Sequence, residues 1–369
     1  MMVETETTVC VRTFDVLVAP APIRTTDPIA RRTRGLRVLA VFVAGLFAFN
    51  FALAMLLEKG PAHWRDPEYG FHLRALQQKR RQFPDRKLTV ILGSSRTAMG
   101  VRPDVYEASL GDPLEAPLLF NMSLAGAGPI LQLMTLERML TDGIIPDAIL
   151  LEYWPPLLRG DGPYREDRRI VAPRLRESDE PIVDDYFADP EDVRSKMRWG
   201  RTIPAWYHRR AFLDQLWPES VPRTERTDAA WAPLDGWGWL PGRKSYTTDQ
   251  VEKGWPQVAG FYAPLFQGFA VAPVADRALR TLLARCRMLG IDVSLLALPE
   301  SNRFRTMMTP ESIRIGVDFR RGLQREFGVP LIDGTPWAED VSLPDGYHLT
   351  QDGATRFTRE LSGHIAPCR

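Results

Sequence analysis

The sequence predicts an α/β fold: a three-layer domain on a parallel sheet, interrupted by a long tryptophan-rich insertion and preceded by one transmembrane helix. Three observations lead there. Short apolar runs alternate with helically spaced segments from Lys87 onward. That alternation stops after Trp154 and resumes near Ala275. A separate uncharged stretch, Val38–Leu57, precedes both.

The elements follow in chain order. Residues 1–35 are rich in Thr, Pro and Arg without periodicity, which predicts a disordered tail. The run VLAVFVAGLFAFNFALAMLL has one polar interruption, Asn50, and about 20 such residues span a hydrocarbon core, so a transmembrane helix is placed at 36–57. Arg31, Arg32, Arg34 and Arg37 crowd its N-terminal side, which predicts a cytoplasmic N-terminus and an exported remainder. A cleaved signal peptide is the alternative, but the run exceeds the usual apolar region and a long tail precedes it. Residues 58–86 are expected to form a stalk and linker, with Leu73, Leu76 and Phe83 at helical spacing and Pro84 as the stop.

The first half of the domain, 87–154, reads as strand Leu88–Leu92, a helix from Pro103, strand Leu118–Phe120, a helix over Ile130–Leu140 and strand Ala148–Glu152. Strands apolar on both faces belong to parallel sheets covered by helices on each side. The second half, 263–369, reads as helix Ala275–Leu289, strand Val293–Leu298, helix Ser312–Phe327, strand Leu331–Asp333 and helix Gln351–His364. Between them the insertion, 155–262, is rich in Pro, Asp, Arg and Trp; eight of the ten tryptophans lie between Trp154 and Trp255. Those indoles suit either a lid over a sugar or apolar ligand or the insertion's own small core. Its acidic run Glu177–Asp192 lacks the glycine and final glutamate of a calcium loop and reads as solvated.

Composition narrows the function classes. Hydrophobic residues at 44% and charged residues at 25% are the balance of a folded protein. A net charge of +1, from 47 basic and 46 acidic side chains, provides no field to recruit nucleic acid. Cys10, Cys286 and Cys368 are too few for a disulfide framework or a zinc site; Cys286 reads as a buried small side chain or as a partner for Cys368. His63, His72, His208 and His364 lack ligand spacing, so no metal is expected. Asp292 and Asp333 flank strands and read as turn residues.

Two segments carry chemistry. Gly93-Ser94-Ser95 sits at the carboxyl end of the first strand, the edge where open α/β sheets bind ligands. Far downstream, LPDGYHLTQDGA sets Asp345 three residues before His348, ahead of the last helix. A nucleophilic serine needs a base, and the base needs a carboxylate to fix its tautomer; an Asp-x-x-His loop supplies both.

With these residues the chain resembles the SGNH/GDSL hydrolase superfamily. Gly93-Ser94-Ser95 matches its first block, NMSLAG (Asn121–Gly126) its second and Asp345-x-x-His348 its last, over 88–153 and 275–369. The resemblance implies a flavodoxin-like sheet, Ser95 rather than Ser94 as nucleophile, His348 as general base, Asp345 as its orienting carboxylate, and an oxyanion hole from the N–H groups of Ser95 and Gly126. It implies no cofactor. The family's third block, with an oxyanion-binding Asn, falls where this chain has Glu152-Tyr153-Trp154-Pro155. Loss of one such donor costs about 10²–10³ in rate; Asn302, in the loop PESNR, is a candidate replacement. Arg96, Asn121, Trp154 and Asn302 are expected at the substrate site, with a solvated helix start the alternative for Arg96 and a surface loop for Asn302.

The plan of one span followed by an exported Gly-Ser-Ser domain is similar to membrane-tethered proteins that acylate cell-surface polymers. It implies a serine esterase or O-acyltransferase acting outside the cytoplasm on an acylated, typically acetylated, carbohydrate or small ester, held to the bilayer by one helix and working beside a multi-span membrane acyltransferase. The alternative is an inactive envelope protein that keeps the fold to bind glycan or scaffold such a complex.

Overall fold

The computed structural model describes residues 28–110, 116–160 and 165–365. The chain divides into two units, residues 1–49 and 50–369. Helix α1, Pro28–Lys59, carries a segment long and apolar enough to cross a membrane. Side chains from 32 to 49 are exposed, as an all-round apolar surface requires if lipid is its solvent. The helix begins at Pro28, so the last residues assigned to a disordered tail are helical instead; residues 1–27 of that tail lie outside the described residues.

In the second unit, α2 (Pro67–Gln82) leads into β1 (Leu88–Leu92), α3 (Ser95–Gly100), α4 (Pro103–Ser109), β2 (Leu118–Asn121), α5 (Pro129–Thr141) and β3 (Ala148–Glu152). The insertion follows, with α6 (Glu180–Tyr186), α7 (Pro190–Thr202), α8 (Pro204–Tyr207), α9 (Arg209–Leu216) and α10 (Thr248–Phe266). The chain then returns to the sheet through α11 (Pro273–Leu289), β4 (Asp292–Ala297), α12 (Asn302–Arg305), α13 (Pro310–Phe327), β5 (Leu331–Asp333) and α14 (Gln351–Ser362).

All five strands pair in parallel in the order 2-1-3-4-5, which is the doubly wound order with a switch point beside β1. Alternate residues of each strand feed opposite faces. Val90, Phe120 and Leu151 join α5 and α11 residues in the larger core, while Ile91, Leu119 and Leu150 meet Phe357 and Leu361 of α14 in the smaller one. Burial on both faces is why these strands read as unbroken apolar runs.

Three sequence expectations need correction. The expected stalk is part of the domain, because Tyr69, Leu73 and Leu76 of α2 are buried in the larger core. The acidic run is not a solvated loop: it forms α6, and Asp179 is buried against Arg138, which also binds Asp66 at 2.9 Å. The insertion does not end at Tyr262, since α10 continues to Phe266 with Pro256 and Pro264 inside it; interior prolines weaken the local helical signal. Cys286 is a buried free thiol on α11, pushed up to about 12 by burial, and Cys368 lies outside the described residues.

The tryptophans form neither a lid nor a separate core. Trp239 is buried and donates to the Met99 carbonyl at 2.8 Å, Trp231 stacks on Phe71, and Trp154 joins Phe304, Tyr262 and Tyr347 in a third cluster. Trp199, Trp206 and Trp217 are exposed.

Candidate active site

The site starts from one sharp turn. After the fully buried β1, Gly93 brings the chain so close to β3 that a Cβ there would lie 2.6 Å from the Glu152 side chain. Ser94 caps α3, accepting from the Arg96 N–H at 3.2 Å. Ser95 is therefore the first residue of α3, where an N–H has no carbonyl one turn back to bond.

His348 reaches Ser95 from the far end of the chain. Its Nε2 lies 2.8 Å from Ser95 Oγ, and its Nδ1 lies 2.8 Å from Asp345 Oδ2. The loop is self-braced: Asp345 Oδ1 accepts the N–H groups of Tyr347 and His348, and Gly346 takes φ +95° to let the turn close. Burial pushes the Asp345 carboxyl up, but the hydrogen bonds from the His348 ring and the two N–H groups, with the imidazolium charge, outweigh it and hold it below the ordinary value. An ionised Asp345 can only accept, so Nδ1 carries the imidazole proton and Nε2 is left to accept from Ser95. That is the orientation in which an imidazole can take a proton from an attacking alcohol.

Arg96 joins the two halves of this arrangement. Its side chain is fully buried and its guanidinium donates to the carbonyls of Tyr347 (3.2 Å), Leu298 (3.0 Å) and Pro299 (2.8 Å) and to Glu300 (3.2 Å). It also lies over the Trp154 ring, 4.3 Å from the centroid, and 3.6 Å from Glu152. The residue after the serine thus clamps the residue before the histidine. Neither the expected substrate contact nor the solvated helix start fits Arg96, because it is fully buried, with Nε and Nη2 bonded within the protein and Nη1 facing Glu152.

Three further expectations change. Asn121 is fully buried, donating to the Thr97 and Val101 carbonyls at 2.8 and 3.0 Å and accepting from Ser123 N–H; it ties α3 to β2 and does not face a ligand. Asn302 is exposed, accepts from Arg305 at 2.9 Å, and its N–H is held by Asp340. It is turned to the surface, with its amide oxygen in use. Trp154 is 4% exposed, stacks on Tyr347, the residue before His348, and lies under the Arg96 guanidinium; it lines a small cavity with Gly126 and Tyr262.

Gly126 lies in a loop held beside the Gly93 turn, since Leu124 N–H donates to the Gly93 carbonyl at 3.0 Å. It takes φ +73°. The preceding N–H, of Ala125, donates to Glu68 at 2.7 Å, and Arg174 pairs with the other oxygen of that carboxylate.

Several charged residues here gave no local signal. Glu68 and Glu300 are spread across helix and loop sequence with no distinguishing pattern. Glu152 did leave one, a charge closing the otherwise apolar run AILLE. Its carboxylate accepts from Ser94 N–H at 2.5 Å and from Thr97 at 3.3 Å, so it fixes the turn that presents Ser95 and is itself an acceptor. Glu166 accepts three N–H groups at the start of α5, from Gly128, Ile130 and Leu131, yet burial pushes its carboxyl up to about 7. A cavity of about 620 Å³ opens beside the Asp345 turn, lined by Tyr246, Trp255, Arg303, Leu343, Gly346 and Arg356 among others. Its lining mixes aromatic and apolar side chains with charges of both signs, Asp340 and Asp352 beside Arg303 and Arg356.

Comparison with protein-family models and with curated protein sequences finds no match to this chain.

Proposed function

We propose that the chain is a membrane-anchored serine esterase or O-acyltransferase of the SGNH/GDSL type, acting outside the cytoplasm on an acylated carbohydrate or a small ester. The observation that carries this reading is the Ser95–His348–Asp345 relay, two 2.8 Å contacts at the carboxyl edge of a parallel sheet. The 2-1-3-4-5 strand order and the single apolar helix ahead of the domain are in keeping with it.

In this mechanism Ser95 Oγ attacks the ester carbonyl carbon while His348 Nε2 takes its proton. The N–H groups of Ser95 and Gly126 stabilise the oxyanion. The C–O bond to the leaving alcohol then breaks as His348 returns the proton to it, leaving an acyl-serine. Water or a sugar hydroxyl, deprotonated by the same imidazole, releases the acyl group. Trp154 stands at the third place of the block, where the family has its amide donor, and it carries no carboxamide, so the hole relies on backbone donors. The missing donor corresponds to about 3–4 kcal/mol of transition-state stabilisation, which makes slow turnover the expected behaviour. The cavity beside the Asp345 turn is the natural place for the sugar portion, with Trp255 and Tyr246 to stack on it.

A fluorophosphonate probe tests the reading. Labelling of the full chain that disappears in Ser95→Ala and His348→Ala supports it. A wild-type chain that stays unlabelled overturns catalysis in favour of an inactive glycan-binding or scaffolding role, the reading that the missing amide donor favours.

A further inference from the structure

Helices α7 to α9 expose six large apolar side chains within nineteen residues: Trp199, Ile203, Trp206, Leu213, Leu216 and Trp217. The three tryptophans are 58–66% exposed, although an indole is among the most expensive groups to leave in water. Trp199 lies on α7, Ile203 is the cap between α7 and α8, Trp206 lies on α8, and Leu213 and Leu216 lie on α9 with Trp217 as its cap, so the exposed apolar side chains run through three consecutive helices. A water-facing surface of this kind marks an interaction site.

The charge of the same stretch selects the partner. Between Met197 and Trp217 there are four arginines and one aspartate. Asp214 is turned inward, 1% exposed and bonded to Thr227 at 2.6 Å; Arg201 pairs with Glu180 at 3.0 Å and Arg210 with Glu225 at 3.0 Å, so the exposed cations of this stretch are Arg198 and Arg209. Arg209 lies over the Trp206 ring, 3.8 Å from its centroid. Tryptophan with arginine at its side is the combination that settles at a bilayer's headgroup level, the ring in the interface and the guanidinium on phosphate.

Position in the fold supplies the continuity. Helix α9 is fastened to the segment that leaves the end of α1: Gln215 donates to the His63 carbonyl at 2.9 Å, and Phe212 lies 5.8 Å from the Trp64 ring. That segment is in turn held to the last turn of α1, where Arg65 pairs with Glu58 at 2.6 Å. The α9 end of this apolar surface therefore lies where the apolar helix ends.

We infer that α7 to α9 form a second membrane contact, an arginine-flanked tryptophan and leucine face that lies in the headgroup zone of a phospholipid bilayer and seats the domain on it. The inference rests on α1 crossing that bilayer. Its consequence is a domain held at two points rather than swinging on a tether.

The test uses the full chain in nanodiscs of plain phosphatidylcholine with an anionic phospholipid, compared with nanodiscs whose phosphatidylcholine is brominated high on the acyl chains. Helix α1 contains no tryptophan, so indole emission is blind to the anchor. The expected result is a partial loss of emission in the brominated discs that the variant Trp199→Ser/Trp206→Ser/Trp217→Ser no longer shows. A second measurement guards against misfolding of that variant. An environment-sensitive fluorophore on Leu216→Cys, in a Cys10→Ser/Cys368→Ser background, should be blue-shifted and quenched by bromine, and the same label on Met288→Cys, on exposed α11, should be neither.

Wild-type emission equal in the two lipids, or equal behaviour of the two labels, overturns the inference and leaves the face to a protein partner or a second copy. Extraction of the chain from its native membrane by alkaline carbonate overturns it for a different reason, by removing the span on which it rests. Retention of the chain with unquenched indoles separates the first failure from the second.

Discussion

Replacing Arg96 with alanine is the substitution that most directly probes how the serine and histidine are held together. The guanidinium makes four hydrogen bonds and sits between Glu152 and Glu300, both largely buried. Removing a buried partner that leaves a charge uncompensated costs about 3–5 kcal/mol. The three carbonyls that lose a donor add about 1 kcal/mol each at most, and not additively, because they share one network. Arg96→Ala is therefore expected to lose roughly 3–5 kcal/mol in urea unfolding of the detergent-solubilised chain. Freed from its clamp at the Tyr347 carbonyl, the His348 loop should shift, and a shift of about 1 Å lowers the rate of phosphonate labelling by about 10²-fold. Arg96→Lys keeps the charge but not the fork, and should fall between. Adding Glu152→Gln to Arg96→Ala should recover part of the stability, since one orphaned charge is gone. A stability loss under about 1 kcal/mol with labelling unchanged would refute the reasoning.

Asp345→Asn should leave the loop folded but favour the wrong imidazole tautomer, lowering the labelling rate by about 10⁴-fold. Because the folded Asp345 carboxyl is held below its ordinary value, it adds stability above about pH 4 that is lost as pH falls through the folded value; the melting-temperature gap between wild type and Asp345→Asn should close in acid. Glu166 behaves in the opposite sense: a carboxyl raised to about 7 favours the fold most when protonated, so wild type loses stability between about pH 4.5 and 7. Glu166→Gln should gain relative to wild type across that window, and a melting-temperature difference independent of pH would contradict this.

The sheet was legible in the sequence because its signal is local. Ala148–Glu152 and Leu331–Asp333 are strands over the same residues that their apolar pattern marks, and the helices around α5, α11 and α13 differ by one to two residues at their starts. The juxtaposition of Ser95 and His348 was accessible through spaced motifs. Helix α2 was misplaced as a stalk because a short amphipathic helix carries no mark of what its apolar face will meet. Arg96 and Asn121 were misplaced for a related reason: polar side chains read as surface or ligand groups unless their partners are known, and here the carbonyls they donate to lie 20 to 251 residues away.

The sequence by itself determined the periodic elements, the parallel pairing implied by strands apolar on both faces, a helix long and apolar enough to cross a membrane and the three candidate side chains of the relay. Only the tertiary structure decided the strand order, which charges are buried and with whom, that Glu152 accepts from the turn that presents Ser95, and that the tryptophan-rich helices are fastened to the exit of α1. The physical reason is that hydrophobic periodicity is written residue by residue along the chain, whereas a buried guanidinium or carboxylate is stable only through groups that folding brings to it from distant segments.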